Sequence, residues 1–234
     1  MADIVAQASD CQGVLEIGPG PGVLTLALTQ AVSRVIAIEV DEGVRPMLSE
    51  RAPNAQVIFE DALQADWGEV LAQLPEPKAI VSNMPYNITG PLLAKVGEQK
   101  NRIKRAVLMM QKEVGDRILA PAGDSNRGSL SVFLEARFEI RRLRKVPPGA
   151  FLPPPKVDSI VLVFEPKAEP VHPRLEEVCR AGFSQPRKTL ANNLAELAGS
   201  RAKVMDALTH IGLPETVRPH QLTLNQWVEV ANQV

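Results

Sequence analysis

The first segment of the chain with residues suited to chemistry is a glycine-rich turn at residues 16–22, with the sequence EIGPGPG. Glycines at alternate positions let a backbone pass close to a ligand, and a following helix presents unpaired N–H groups. The spacing is Gly-x-Gly-x-Gly, so the Gly-x-Gly-x-x-Gly pattern of dinucleotide-binding proteins is not met. Tight structural turns also use glycine. This segment alone therefore leaves two interpretations open, a ligand-binding turn and a purely structural turn.

Two carboxylates stand at the ends of the next two apolar segments, Glu39 after RVIAI and Asp61 after QVIFE. The carboxyl ends of parallel strands meet at one edge of a sheet, where open α/β sheets bind ligands. There Glu39 can hold ribose hydroxyls and Asp61 can accept from an adenine amino group, although each alone could be a solvated carboxylate. An acidic lining suits a cationic sulfonium better than a pyrophosphate. The pattern therefore favours S-adenosylmethionine over NAD as cofactor.

The fourth apolar segment ends in Asn83-Met84-Pro85-Tyr86, which resembles the Asn/Asp-apolar-Pro-Tyr/Phe signature of methyltransferases acting on adenine N6. That nitrogen is a poor nucleophile because its lone pair is delocalised into the ring. The Asn83 amide oxygen and the Met84 main-chain carbonyl can accept its two N–H bonds and aim the lone pair at a methyl group. Pro85 stiffens the turn without adding a competing N–H, so positioning and electrostatics would carry the acceleration. Tyr86 would stack on an extruded base, or else cap the core.

Five motifs, in this order along the chain, resemble those of the ribosomal RNA adenine dimethyltransferases, the KsgA family. The resemblance runs from about residue 4 to about residue 230. It implies S-adenosylmethionine-dependent dimethylation of adenine N6 in small-subunit (16S) ribosomal RNA, in the cytoplasm, with the immature 30S subunit as partner. The motifs are EIGPGPG at 16–22, NMPY at 83–86, QKEVGDR at 111–117, FLPPPKVDS at 151–159 and FSQPRKTL at 183–190.

The same resemblance assigns roles to individual residues. Phe151 would cover the opposite face of the target adenine, or else pack on the sheet edge as a loop aromatic. Arg187 and Lys188 would contact RNA phosphates, or else be solvated. The catalytic residues are Asn83, Met84, Pro85 and Tyr86. The cofactor-binding residues are Glu16, Gly18, Gly20, Gly22, Glu39, Asp61, Ala62 and Asn83. The substrate-binding residues are Tyr86, Phe151, Phe183, Arg187 and Lys188.

Three positions depart from the family pattern. The family carries a Gln-Asn-Phe-Leu-type segment upstream of its first helix, and we expect this chain, which begins close to that helix, to lack it. Arg127 stands where the family usually has an aromatic residue, and Pro186 interrupts a basic pair. The expected lack of the upstream segment motivates a second hypothesis, a catalytically impaired or non-catalytic RNA-binding ribosome assembly factor with the same fold. A third, DNA adenine methylation, shares the chemistry of the NMPY turn.

The elements that would position these residues follow from hydrophobic patterning. Five apolar, β-branched segments alternate with helical ones, which predicts a buried parallel sheet with helices on both faces. Residues 138–146 and 158–165 are joined by a Pro-rich stretch too short for a parallel crossover, which predicts a terminal antiparallel hairpin. We therefore predict an α/β fold, a Rossmann-like class I methyltransferase sheet at 1–166, and a small helical RNA-contacting domain at 167–234. The five segments are 13–18, 34–40, 55–61, 78–83 and 105–111, and the C-terminal helical segments are 175–181, 188–197, 201–211 and 224–231.

The composition bounds the remaining possibilities. A chain with 45% hydrophobic and 23% charged residues is typical of a packed globular protein, and no apolar run reaches the ~18 residues of a membrane span. Residues 95–156 hold fourteen basic against six acidic residues, whereas residues 1–94 hold four against twelve. A basic middle region predicts either a polyanion-facing surface or a solvated edge.

Cysteines and histidines give no sign of a metal or a disulfide framework. Cys11 and Cys179 are predicted to be buried free thiols in a reducing cytosol. The three histidines lack metal-ligand spacing, so no metal is expected. Oligomeric state is not indicated by any of these patterns.

Overall fold

The computed structural model describes residues 1–151 and 154–234, and the chain forms two compact units. The first comprises Met1–Gly115 and Phe138–Pro166, and the second comprises Asp116–Arg137 and Lys167–Val234. The sequence prediction placed residues 116–137 in the first domain instead. The difference has a physical cause, because Val132 in this segment is fully buried in the apolar core of the C-terminal helices.

The first unit is built on one seven-stranded sheet in the order β3-β2-β1-β4-β5-β7-β6. β1 to β5 run parallel, and β7 runs antiparallel to both β5 and β6. This confirms the predicted mostly parallel sheet with an antiparallel end. The strands are β1 Gly13–Ile17, β2 Arg34–Glu39, β3 Gln56–Phe59, β4 Lys78–Asn83, β5 Arg105–Gln111, β6 Phe138–Val146 and β7 Ser159–Pro166.

The sheet is buried because its central strands are apolar on both faces. All five residues of β1 are buried, and so are the five that open β4. On one face, Val14, Val81 and Val107 pack with Ile4 and Leu28 from the helices. The helices before Phe138 are α1 Ala2–Ala8, α2 Val23–Ala31, α3 Arg45–Arg51, α4 Trp67–Ala72, α5 Thr89–Glu98, α6 Lys112–Ile118 and α7 Ser129–Glu135.

The second unit is helical and has its own core. Trp227 is fully buried there, and the Phe183 ring stacks on it with centroids 5.3 Å apart. Along the described residues, no helix of either unit has the length and apolarity needed to cross a bilayer. The C-terminal helices are α8 Leu175–Gly182, α9 Leu190–Leu194, α10 Arg201–His210 and α11 Leu224–Gln233.

Gly182→Ala is expected to destabilise the second unit. A Cβ at this position would lie 2.5 Å from Cη2 of Trp227, and forcing an atom into a packed core costs about 1–3 kcal/mol. Chemical denaturation measures the change in the free energy of unfolding. Gly128→Ala is the matched control, because a Cβ there meets nothing within 4 Å and the backbone φ is −126°. Equal stabilities for the two variants would contradict the packing argument.

Candidate functional site

The strand register brings the chemically capable residues to one edge of the sheet. Ile17, the last residue of β1, pairs with Ile38 of β2 and with Ser82 of β4. The glycine-rich turn thus lies between Glu39 on one side and Asn83 on the other. The two turns also approach each other directly, since Cγ of Pro85 lies 3.6 Å from the position of a Cβ on Gly18.

The glycine-rich turn is open on the side where a ligand would approach. Gly18, Gly20 and Gly22 have φ of +69°, +52° and +79°, a region that only glycine adopts readily. A Cβ on Gly22 would lie 2.9 Å from Cδ2 of Leu48, whereas a Cβ on Gly20 would meet nothing within 4 Å. Gly22 therefore serves packing, and Gly20 leaves free space beside the backbone.

The Glu39 carboxylate organises this edge. One oxygen accepts from the Gly20 N–H at 3.0 Å, and the other accepts from the N–H groups of Val40 and Asp41, both at 2.9 Å. A carboxylate has about four acceptor positions, so about one remains for a ligand hydroxyl. Glu39 is 8% exposed, which makes these charge-assisted bonds stronger than they would be in water.

Glu16 is a second carboxyl at the turn, and it is 1% exposed. Burial raises its pKa to about 7, the nearby Thr25 hydroxyl opposes that rise, and the Glu39 charge adds to it. Within the described part of the chain, neither Oε2 of Glu16 nor Oγ1 of Thr25 meets a hydrogen-bond partner. A buried polar atom without a partner is uncommon and marks a candidate binding position.

Glu16→Gln is expected to remove a pH-dependent penalty on folding. The Glu16 pKa is about 7 when folded against a usual 4.5, so the folded chain holds this proton more tightly. Below the lower pKa the carboxyl is protonated in both the folded and the unfolded chain, and folding carries no penalty. The free energy of unfolding then falls as the pH rises from the lower pKa through the higher one. Relative to the variant, the wild type should lose about 2.5 kcal/mol between about pH 5 and about pH 8. Urea unfolding across this range measures it, and a constant difference would refute it.

The Asn83–Tyr86 turn is fixed by its neighbours on both sides. The Met84 N–H donates to the Met109 carbonyl of β5 at 2.9 Å, and the Thr89 hydroxyl donates to the Pro85 carbonyl at 3.0 Å. Asn83 itself is exposed, and its side-chain amide bonds no residue that the structure describes. Its amide is therefore available to a ligand at the end of β4.

Tyr86 is half-buried, and its hydroxyl lies 2.6 Å from Oγ of Ser159 in β7. Sequence reasoning did not single out Ser159, nor Thr89, which steadies the same turn. The signal for Ser159 was present, because a serine that opens an apolar, buried strand needs a hydrogen-bond partner.

Asp61 and Ala62 lie after β3, at the same edge. Asp61 is exposed, and its Oδ1 accepts from the Leu63 N–H at 2.9 Å. The Ala62 carbonyl accepts from Nε1 of buried Trp67 at 2.9 Å. These bonds hold the loop in place while one Asp61 oxygen makes none with the described residues. Contact of Asp61 and Ala62 with a cofactor stays a prediction.

The predicted substrate residues are divided between the two units. Phe151 is half-buried against the core of the first unit, and Leu152 and Pro153 of its motif lie outside the described residues. Phe183 has one ring face occupied by Trp227. Arg187 and Lys188 are exposed, but they precede α9 rather than begin it, since Thr189 is its N-cap. RNA contact by these residues stays a prediction.

Part of the basic middle region forms ion pairs within the first unit. Lys104 and Arg105 contact Asp10 at 2.6 and 3.2 Å, and the hydrogen bond from Lys104 lowers the Asp10 pKa. Arg144 of β6 pairs with Asp3 of α1 at 2.5 Å. The charge asymmetry therefore overstates the number of cations available to a polyanion.

Arg127, which replaces the usual aromatic residue, has a structural place in the second unit. It is buried, and it donates to the carboxylate of Glu135 and to the carbonyl of Ala120. Its charge is thereby matched inside the unit. Within the described residues, no three His, Cys, Asp or Glu side chains come together as a metal site.

The fold and the site define a class of protein: an S-adenosylmethionine-dependent methyltransferase with a Rossmann-like sheet and an amino-group turn after its fourth strand. The family model described as ribosomal RNA adenine dimethylase matches residues 2–234. The chain belongs to this family, as its five motifs predicted.

Curated relatives agree with this assignment. The chain is 39% identical over 223 residues to the ribosomal RNA small subunit methyltransferase A of Thermotoga neapolitana, covering 94% of this chain and 79% of that protein. It is 37% identical to the protein of the same name from Syntrophotalea carbinolica, covering 100% and 91%.

Two solved structures are similar to this chain over nearly all of its length. A dimethyladenosine transferase from Plasmodium falciparum superimposes with a TM-score of 0.81 at 27% identity, covering 98% of this chain and 92% of that one. The 23S rRNA methyltransferase ErmE superimposes with a TM-score of 0.71 at 26% identity, covering 99% and 95%. Both matches extend through the helical second unit.

Proposed function

We propose that this chain transfers methyl groups from S-adenosylmethionine to the N6 atoms of adenines in 16S ribosomal RNA. Membership of the adenine dimethylase family supports this, as do relatives named for the small ribosomal subunit. Its partner is the immature 30S subunit in the cytoplasm.

One observation carries the proposal: the amide-bearing turn lies directly beside the glycine-rich turn. Cγ of Pro85 lies 3.6 Å from the position that a Cβ on Gly18 would take, and all five residues of β1 pair with β4, up to Ser82 beside Asn83. A purine amino group held at Asn83 would thus be next to a ligand bound over the glycines. Proximity of the two reactants is the main requirement of a transfer that needs no strong base.

The residues of the glycine edge fit the proposed cofactor. Gly20 leaves open space along the backbone, and Glu39 keeps about one acceptor position for a ribose hydroxyl. The partnerless Oε2 of Glu16 offers one more buried polar position at the turn. We assign Asp61 and Ala62, which follow β3 at the same edge, to the adenine ring of the cofactor. S-adenosylmethionine supplies an electrophilic methyl group attached to a cationic sulfur.

The chain's own groups activate the acceptor nitrogen. The Asn83 amide oxygen and the Met84 carbonyl accept its two N–H bonds, which favours a pyramidal nitrogen with its lone pair directed at the methyl group. The turn is held by Met109 and Thr89 before substrate arrives, so little reorganisation is needed during reaction. Tyr86 stacks on the extruded base, and Phe151 covers its other face.

Contacts with the rest of the RNA involve the second unit. Arg187 and Lys188 are exposed and adjacent, and neither side chain forms a hydrogen bond or an ion pair with the residues that the structure describes. We place phosphates of the RNA against them. Phosphate contacts of this kind orient a nucleic acid without reading its sequence.

Incubation of the protein with immature 30S subunits and methyl-labelled S-adenosylmethionine tests the proposal. Label in dimethyladenine of 16S RNA is the expected result, and a folded protein that transfers none would overturn it. Titration calorimetry with S-adenosylmethionine distinguishes this proposal from the assembly-factor hypothesis, because only a methyltransferase requires saturable cofactor binding. Duplex DNA added as competitor should leave the labelling unchanged.

A further inference from the structure

The Tyr86 hydroxyl is anchored on a strand far from the turn that carries it. Its oxygen lies 2.6 Å from Oγ of Ser159, the first residue of β7. An O–H···O contact of this length lies at the strong end of the normal range. The two residues are 73 positions apart, so the bond depends on the assembled sheet and not on the local turn.

Ser159 is a rigid anchor. Its side chain is fully buried, and its backbone pairs with Gln111 of β5 on one side and with Val146 of β6 on the other. A residue paired on both sides cannot shift without disturbing two ladders. Within the part of the chain that the structure describes, Tyr86 is the one hydrogen-bond partner of its hydroxyl.

The other contacts of the turn restrain the backbone and not the ring. The Met109 carbonyl holds the Met84 N–H, and the Thr89 hydroxyl bonds the Pro85 carbonyl. A tyrosine ring attached to a fixed backbone still has rotation about its two side-chain bonds. The bond to Ser159 restrains the far end of the ring and thereby sets the plane of the aromatic face.

We propose that Ser159 is a positioning residue, which orients the Tyr86 ring against the target adenine through this hydrogen bond. This inference rests on the proposed function, because it requires a base stacked on Tyr86. Stacking follows the plane of the ring, so a tilted ring would carry the amino group away from Asn83. A small misplacement of a reacting atom is enough to slow a reaction that depends on orientation.

A double-mutant cycle tests the coupling. Ser159→Ala removes the anchor, whereas Tyr86→Phe keeps the aromatic face and loses the hydroxyl. We expect each single variant to lower kcat roughly tenfold, with the affinity for S-adenosylmethionine unchanged. The double variant should be no slower than either single one, because both remove the same bond. Ser33→Ala, an exposed serine bonded to Gln12 at 2.5 Å, is the activity control.

The chain has one tyrosine, so carbon-13 labelling at tyrosine Cζ gives a single NMR signal that belongs to Tyr86. We expect Ser159→Ala to shift this signal, because the phenol loses its partner. Ser82→Ala also deletes a buried hydroxyl, which donates to the Ile17 carbonyl at 2.7 Å, and it should leave the signal in place. This readout responds to the bond itself and not to general loosening of the core.

The outcomes distinguish this inference from the proposed function. An inactive, folded wild type would overturn the proposed function, and the positioning role with it. An active wild type with Ser159→Ala as fast as Ser33→Ala would overturn the positioning role alone. The positioning role alone would also be overturned if the kcat losses of the two single variants multiplied in the double variant, or if Ser159→Ala left the Tyr86 signal unmoved.

Discussion

Asn83→Ala is expected to lower kcat for methyl transfer about 100- to 1000-fold, the usual cost of deleting one preorganised polar group that acts in the transition state. The variant keeps the Met84 carbonyl but removes the amide oxygen that would accept the second N–H of the adenine amino group. The nitrogen then has no fixed direction for its lone pair. Single-turnover kinetics with immature 30S subunits measures the chemical step directly.

Cofactor affinity gives the Asn83 experiment its internal check. The glycine turn and Glu39 are unchanged in the variant, so calorimetry should give a Kd for S-adenosylmethionine close to that of the wild type. Asn54→Ala, at an exposed position outside the site, is the matched control and should retain full activity. A kcat for Asn83→Ala within threefold of the control, roughly 0.6 kcal/mol in barrier, would refute its role.

Glu39→Gln is expected to weaken S-adenosylmethionine binding about 10- to 100-fold, since a hydrogen bond to a charged group contributes about 1.5–3 kcal/mol. The carboxylate now serves the N–H groups of Gly20, Val40 and Asp41. A glutamine has one acceptor oxygen and must point an NH₂ at one side of this set. The turn then loses its preorganised shape, and the ribose loses an anionic acceptor.

Titration calorimetry measures the Glu39 effect, and Glu42→Gln provides the comparison. Glu42 lies three residues further along the same loop, and its exposed carboxylate pairs with Arg45 at 3.0 Å. An exposed ion pair contributes little to stability, so this variant should bind the cofactor like the wild type. Equal affinities for the two variants would contradict the assignment of Glu39.

The sheet could be predicted from sequence because its signals are local. Strands at 78–83 and 105–111 have the predicted bounds, since continuous apolar, β-branched runs have few alternatives to a buried strand. The strand at 138–146 also has the predicted bounds. Helix α7 could not be assigned to the second unit in the same way. Its apolar face fits either unit from sequence, and only tertiary packing places Val132 in the helical core.

The candidate site also has residues that local sequence signals predict and one contact that they do not. Glu39 and Asn83 could be found because each stands at the end of a predicted strand, and Gly20 because it lies in the turn that follows one. Parallel strands bring their carboxyl ends together. The partner of Tyr86 could not, because Ser159 reaches it through an antiparallel pairing whose register no local pattern specifies.

The number of basic residues available to a ligand could be predicted least well from the sequence. Counting basic residues cannot separate a cation that faces solvent from one that is neutralised by the fold, such as Arg127 beside Glu135. That distinction depends on contacts between distant segments, as Arg144 with Asp3 also shows.

The pair of acceptors at Asn83 and Met84 also bears on how many methyl groups are added and when the product leaves. An unmodified adenine amino group satisfies both oxygens, and a monomethylated one satisfies a single oxygen. A dimethylated base has no N–H to offer either. Under the proposed mechanism the turn loses one hydrogen bond to the base with each methyl transfer. Transfer therefore stops after two methyl groups, when the base has no N–H left to donate, and the dimethylated base is released back into the RNA.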